Sequence, residues 1–252
     1  RLMKEVQKQL KIDDKLLPHK SILAAISGAK DSLIDPDEYA RTAGGDFRLN
    51  QIAKAYVLYE QRLKEADAMD FDDIIVYTVA LFQQNPDVLD YYQNKFRYIM
   101  VDEYQDTNHA QYMLVKLLAE KYQNICVVGD DDQSIYRFRG ATIENILSFE
   151  KQYPKAKVIR LEQNYRSTQT ILNAANAVIG NNTSRKGKSL WTENGEGSKI
   201  DVHTAADEQD EARYVADRIL DNVRAGKKFA DHAILYRMNA QSNAMENVFV
   251  RS

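Results

Sequence analysis

Cysteine is almost absent: Cys126 is the single one among 252 residues, which rules out a disulfide framework and a cysteine-based zinc cluster. There is no run of about 18 or more apolar residues, so no segment reads as a membrane-spanning helix. No secretory pattern stands at the start, and a soluble intracellular protein is expected. A strong charge bias is also missing. With 34 Lys and Arg against 37 Asp and Glu the net charge is −3, so a nucleic-acid site would have to be a local basic or aromatic stripe. His19, His109, His203 and His232 are scattered, with no metal-ligand spacing. What remains is ordinary: 44% hydrophobic content, enough for two modest domains with real cores. The first residue is Arg1 rather than Met and the last follows the apolar Val248-Phe249-Val250, so both ends are expected to be cut.

Residues 1 to about 95 read as helical. Ile52, Tyr56, Tyr59, Leu63 and Ala66 recur at helical spacing, as do Ile74, Ile75, Thr78, Val79, Leu81 and Phe82, until Asn85-Pro86 breaks the pattern. Beyond that the texture becomes α/β. Residues 98–101 and 125–128 read as buried strands, joined by a helix with Ala110, Met113, Leu114, Leu117 and Leu118 on one face and Thr107 or Asn108 as its N-cap. Strand, helix, strand at this length predicts a parallel pair. Residues 158–161, 200–203 and 233–236 read as further strands, alternating with helices around Leu172 and Ala216. Residues 180–198, rich in Gly, Asn, Ser and Lys, read as a loop.

Three clusters carry chemistry. Asp102 and Glu103 leave the first strand within Val101-Asp102-Glu103-Tyr104-Gln105-Asp106-Thr107-Asn108. Paired carboxylates at a strand's C-terminal end suit a magnesium ion, which prefers oxygen ligands, and an attacking water. A solvated acidic turn is the competing reading of the pair taken alone. The second cluster is Gly129-Asp130-Asp131-Asp132-Gln133-Ser134-Ile135-Tyr136-Arg137-Phe138-Arg139-Gly140. Gln133 offers an uncharged amide to a γ-phosphate or water. Tyr136 and Phe138 alternate with Arg137 and Arg139, which suits unpaired bases beside a phosphate backbone. The three aspartates are preferred as a polar, carboxylate-capped turn over a separate metal site. The third cluster, Leu161-Glu162-Gln163-Asn164-Tyr165-Arg166-Ser167, offers an aromatic ring and a guanidinium.

In this order the clusters resemble motifs II, III and IV of superfamily 1A DNA helicases of the UvrD/PcrA/Rep kind, and the resemblance covers essentially the whole chain. Asp70-Phe71-Asp72-Asp73-Ile74, where Asp70 or Asp72 is a candidate N-cap, and residues 233–248 resemble further family segments. The resemblance implies RecA-like P-loop NTPase motor domains, with a partial parallel sheet and a helical inserted subdomain. Residues 1–69 correspond to the helical accessory subdomain, 70–156 to the latter part of the first motor domain and 157–252 to the first part of the second.

ATP and Mg2+ are the implied cofactors, with Asp102 and Glu103 at the metal. Gln133, Tyr165 and Arg166 stand at the nucleotide: Tyr165 stacking on adenine, Arg166 as an arginine finger and Gln133 coupling nucleotide state to DNA. Tyr136, Phe138 and Arg139 are the implied DNA contacts, although many family members carry Trp where this chain has Phe138. The implied partners are single-stranded DNA, duplex junctions and repair or replication proteins. A monomer or weak dimer in the bacterial cytosol or nucleoid is expected, moving 3′ to 5′.

The departure from the family is the missing phosphate loop. Gly187-Lys188-Ser189 imitates its end, but the required upstream Gly is Asn182, and the segment follows a helix rather than a strand. Arg185, Lys186 and Lys188 read as a solvated basic loop in preference to DNA-phosphate contacts. Motifs V and VI are also missing, so the 252 residues alone are expected to hydrolyse ATP negligibly. The alternatives are a catalytically inactive interaction scaffold, or a helicase-like subunit of a recombination nuclease whose nuclease domain would lie beyond Ser252.

Overall fold

Carboxylate and proline punctuation sets the helix boundaries in the computed structural model, which describes residues 1–136, 140–182 and 187–250. The helices α1 (Leu2–Leu10), α2 (His19–Asp31), α3 (Pro36–Ala43) and α4 (Phe47–Glu65) come first. Asp35 and Asp46 cap α3 and α4 by accepting from Glu38 N and Leu49 N, and Pro36 takes the first turn of α3, where no amide donor is needed. Asp70 caps α5 (Phe71–Gln84) in a reciprocal box with Asp73, and Asn85-Pro86 ends it and starts α6 (Pro86–Lys95). The expected break at that dipeptide is where the chain turns.

The chain divides into two compact units, residues 1–162 with 176–189, and residues 163–175 with 190–252. In the first, Met3, Val6, Ile22, Ile26, Ala55 and Tyr56 form the centre of a helical core. Full burial of each large aliphatic contributes about 1.5–3 kcal/mol. The face expected on α4 is buried at Ile52, Tyr56, Tyr59 and Leu63, whereas Ala66 lies past its end and is exposed. On α5 only Val79 and Phe82 of the expected stripe are fully buried, and Ile74 and Leu81 are exposed.

Strand β1 (Ile99–Val101) and strand β2 (Ile125–Val127) pair in parallel, Ile99 opposite Ile125 and Val101 opposite Val127. The helix α7 (His109–Ala119) connects them, and of the two candidate caps it is Asn108 that accepts from Gln111 N. Two short helices, α8 (Glu144–Leu147) and α9 (Phe149–Gln152), follow. The three further strands expected at 158–161, 200–203 and 233–236 do not form. A parallel strand exists through its neighbours' hydrogen bonds, and among the described residues β1 and β2 are the only such neighbours. Val202 and Leu235 are 90% and 94% exposed, as expected of apolar runs with nothing to pair with. Residues 180–198 form the expected loop where they are described, with one isolated bridge between Gln163 and Trp191.

The helix α10 (Gln169–Ile179) has Leu172 buried. In the second unit α11 (Glu208–Arg224) buries Ala212 and Ala216, and α12 (Ser242–Phe249) follows. An apolar cleft there is lined by Ala216, Ile219, Leu220, Phe229, His232, Ile234 and Phe249, none of them singled out above for chemistry.

Beneath the helical core lies an ion cluster. Lys30, 2% exposed, places its Nζ at 2.7 Å from Glu60, 2.7 Å from Asp70 and 2.5 Å from Asp73, so α2, α4 and the start of α5 share one cation. Burial acts to lower the Lys30 pKa, but the hydrogen bonds to the three carboxylates outweigh it and hold the ammonium above its ordinary value. Removing one partner from such a group leaves the others desolvated and unpaired. Lys30→Met is therefore expected to lower the unfolding free energy of the chain by about 3 kcal/mol, read from urea denaturation. A midpoint unchanged from the parent chain would contradict it.

Candidate functional site

Where β1 ends, the sequence Asp102-Glu103 faces a backbone problem. Glu103 has a φ of +50°, a left-handed conformation that residues with a Cβ rarely adopt, and a tight turn over Tyr104–Asp106 follows. The turn is tied back to the sheet. Val128 N donates to Val101 O at 2.8 Å and Tyr104 N to Val128 O at 2.9 Å, extending the β1–β2 pairing past the strands. Both carboxylates of the pair are exposed. Asp102 Oδ1 accepts from Glu103 N at 2.9 Å, and Glu103 Oε2 accepts from Gln105 Nε2 at 2.7 Å. Asp102 Oδ2 and Glu103 Oε1 have no protein partner among the described residues. Two hard, unengaged oxygens open to solvent fit a magnesium ion that keeps several of its waters.

The turn after β2 lies beside this pair. Asp130 caps Asp131–Gln133 by accepting from Asp132 N at 2.9 Å, so the polar, carboxylate-capped turn is what forms. Asp130 Oδ2 accepts from Gln133 Nε2 at 2.8 Å, and Asp130 N donates to Gln105 Oε1 at 2.9 Å. Burial works to raise the Asp130 pKa, but hydrogen bonds from Lys188 and Gln133 outweigh it and hold the carboxyl below its usual range. Lys188 therefore overturns the expectation of a solvated basic loop at its position. Its ammonium contacts Asp130 directly and lies 3.9 Å from Asp132, with most of its side chain covered. Burying its stem while pairing its charge outweighs leaving it in water.

The structure thus brings Asp102, Glu103 and Gln133 together in one unit. Tyr136 follows the same turn, 38% exposed and so not a core ring, with its carbonyl accepting from Ala141 N. Phe138 and Arg139, with Arg137, Arg185 and Lys186, lie outside the described residues. In the second unit Asn164 Oδ1 accepts from Arg166 N at 3.0 Å and Ser167 N at 2.7 Å. Asn194 Nδ2 donates to Tyr165 O at 3.1 Å and Ser167 O at 3.2 Å. These two asparagines fix a turn that leaves the Tyr165 ring 79% exposed and the Arg166 side chain in solvent.

Three contributions escape a reading of motifs. Gln105 stands inside the first cluster, but its burial at 1% and its two-way amide become apparent only in three dimensions. Lys30 has a sequence signal, since Ile22, Ile26 and Lys30 recur every fourth residue and place a cation on an apolar stripe. Glu60, Asp70 and Asp73 are the one group among the described residues whose ligand atoms gather as a metal site's would, and Lys30 already meets their charge. Asp70 is accordingly more than a cap.

Asp31, next to Lys30 on α2, reaches the first cluster. Its Oδ1 accepts from Asn108 Nδ2 at 2.5 Å, and its Oδ2 lies 2.5 Å from where a Cβ on Gly140 would stand. Gly140 has a φ of +81°, so glycine is required there both for conformation and for space. Asn108 and the following turn are also joined by Thr107, whose carbonyl accepts from Thr142 N at 3.0 Å and Asn145 Nδ2 at 3.1 Å.

Known proteins resemble the chain along its whole length. The UvrD/REP helicase N-terminal domain matches residues 1–154 and the UvrD-like helicase C-terminal domain matches residues 159–252. A protein of Staphylococcus epidermidis named ATP-dependent DNA helicase PcrA is 53% identical over 251 residues, covering 100% of this chain and 34% of its own length. A protein of the same name from Staphylococcus aureus is 54% identical over 251 residues, with the same coverage. The chain thus spans about a third of the length of these curated relatives.

The Asp31 carboxyl is pushed up to about 6, first by burial and then by the charge of Asp72, against the opposing hydrogen bond from Asn108. A folded-state pKa above the unfolded value of 3.8 means that the native state binds the proton more tightly. This group's contribution to stability is present below the unfolded value and lost as pH rises through about 6. Asp31→Asn keeps the acceptor for Asn108 without the charge. It is expected to gain on the order of 1 kcal/mol at neutral pH relative to the parent chain, and nothing at pH near 4. Urea midpoints of the two proteins across that range, if they stay parallel, would refute this.

Proposed function

Because the chain belongs to the UvrD/REP helicase family, we propose that the protein carrying it is an ATP-dependent DNA helicase or translocase, moving 3′ to 5′ on single-stranded DNA and separating duplex. The observation that bears most weight is the hydrogen-bonded set Glu103, Gln105, Asp130 and Gln133 at the C-terminal ends of two parallel strands. In open α/β sheets that edge is where ligands bind. The parallel pair with its helical connection supports a RecA-like arrangement, and the exposed carboxylates support Mg2+ with ATP.

Each residue then has a defined task. Asp102 offers its unengaged oxygen as a ligand to magnesium, which when bound neutralises phosphate charge. Glu103 orients the attacking water and accepts its proton. Gln133 hydrogen-bonds the γ-phosphate or that water, without adding charge. Tyr165 presents a ring to the adenine, and Arg166 a guanidinium to the γ-phosphate, as an arginine finger does. Tyr136, with Phe138 and Arg139, stacks bases and meets the backbone of single-stranded DNA. Repair or replication of DNA in the cytoplasm is the setting this chemistry fits, with duplex junctions and other repair or replication proteins as partners.

The test is ATP hydrolysis by the full-length protein. Glu103→Gln is expected to lower DNA-stimulated turnover by roughly 100-fold or more while single-stranded DNA binding persists, because the proton acceptor is removed and the fold is not. The 252 residues alone are expected to hydrolyse ATP negligibly. Undiminished turnover in full-length Glu103→Gln protein would overturn the assignment.

A further inference from the structure

Gln105 is a buried side chain that touches both candidate catalytic loops, and it does so with the two ends of one amide. Its Nε2 donates to Glu103 Oε2 at 2.7 Å and its Oε1 accepts from Asp130 N at 2.9 Å. Asp130 in turn accepts from Gln133 Nε2 at 2.8 Å. An unbroken chain of three hydrogen bonds therefore runs from the carboxylate of the first cluster to the amide of the second. Glutamine is suited to the middle place because one neutral side chain both donates and accepts. Aspartate or glutamate there would set a negative charge against Glu103, and an apolar residue would leave Asp130 N unanswered in a part-buried turn.

The surroundings leave the amide little freedom. Gln105 is 1% exposed, so it cannot turn outward without opening the fold. Gly129 closes the other side: a Cβ there would stand 2.6 Å from Gln105 Oε1, 2.8 Å from Ile146 Cδ1 and 3.2 Å from Tyr104 N. Glu103 itself sits in a left-handed backbone conformation, and the Gln105 bond is the side-chain contact that fixes where its carboxylate points.

We propose that Gln105 is a positioning residue for hydrolysis, holding Glu103 in register with the Asp130–Gln133 turn so that proton acceptor and γ-phosphate contact are set together. This rests on the ATP chemistry proposed above. Gln105 acts through its bonds to Glu103 and Asp130 N. Its effect is confined to the hydrolytic step, because the groups it orders are those that act on the attacking water.

Three variants of the full-length protein test it, each measured by DNA-stimulated steady-state kinetics and single-turnover hydrolysis. Gln105→Leu removes both bonds. Gln105→Glu keeps the acceptor for Asp130 N but replaces the donor to Glu103 with a like charge. Gly129→Ala keeps the glutamine but sets a methyl 2.6 Å from its oxygen, so the amide must shift. All three are expected to lower kcat and the single-turnover rate by roughly tenfold or more, with KM for ATP and affinity for single-stranded DNA within about twofold of the parent. Gln105→Glu should fall as far as Gln105→Leu.

A purely structural role would instead lower thermal stability and shift KM, kcat and DNA affinity together. That pattern in all three, or parental turnover in Gln105→Glu, would overturn the proposal. Glu103→Gln, run alongside, separates the two levels. If it retains turnover, the ATP chemistry fails and this role falls with it. If it loses turnover while the Gln105 variants do not, only the positioning role is refuted.

Discussion

One buried cation organises the helical part of this molecule. Lys30 cannot stay charged in an apolar core without partners, and it finds three carboxylates from two other helices. That requirement fixes the start of α5 against α2 and α4. The next residue along, Asp31, reaches the cap of α7, directly behind the carboxylate cluster, and the seat of Gly140. Two adjacent charged residues on α2 thus connect the helical core to the loops of the candidate site.

The two loops are themselves built from polar side chains that answer backbone groups. Asn108 caps a helix and grips Asp31, Thr107 serves Thr142 and Asn145, and Gln105 spans Glu103 and Asp130. Buried polar networks of this kind specify one arrangement, because each missing partner leaves a desolvated group uncompensated. The exposed carboxylates of Asp102 and Glu103 therefore stand on a buried, hydrogen-bonded base while remaining open to solvent.

Much of this could be read from residue patterns, and the limits have physical causes. Local signals transferred well: the helix face at Ile52, Tyr56, Tyr59 and Leu63, the break at Asn85-Pro86, the caps at Asp70 and Asn108, and the parallel pairing of the first two strands. Residues 158–161, 200–203 and 233–236 have strand composition, but composition does not supply neighbours, and without them no ladder forms. Lys188 and Gln105 show a different limit. Sequence spacing could not tell that Lys188 meets Asp130, 58 residues away, or that Gln105 meets a turn 25 residues on. Asp102, Glu103 and Gln133 stand out in the sequence as candidate chemistry, whereas the residues holding them in place do not.

The backbone at Glu103 has a last implication. A left-handed conformation costs a residue with a Cβ roughly 1–2 kcal/mol relative to its relaxed state, a cost glycine does not bear. At this position thermodynamics favours the residue with no side chain, while the chemistry proposed here requires a carboxylate. Selection for thermal robustness alone would drift toward glycine and produce a sturdier, silent protein. On the chemistry proposed above, the left-handed φ at Glu103 marks a point where durability is sacrificed to keep a carboxylate in place.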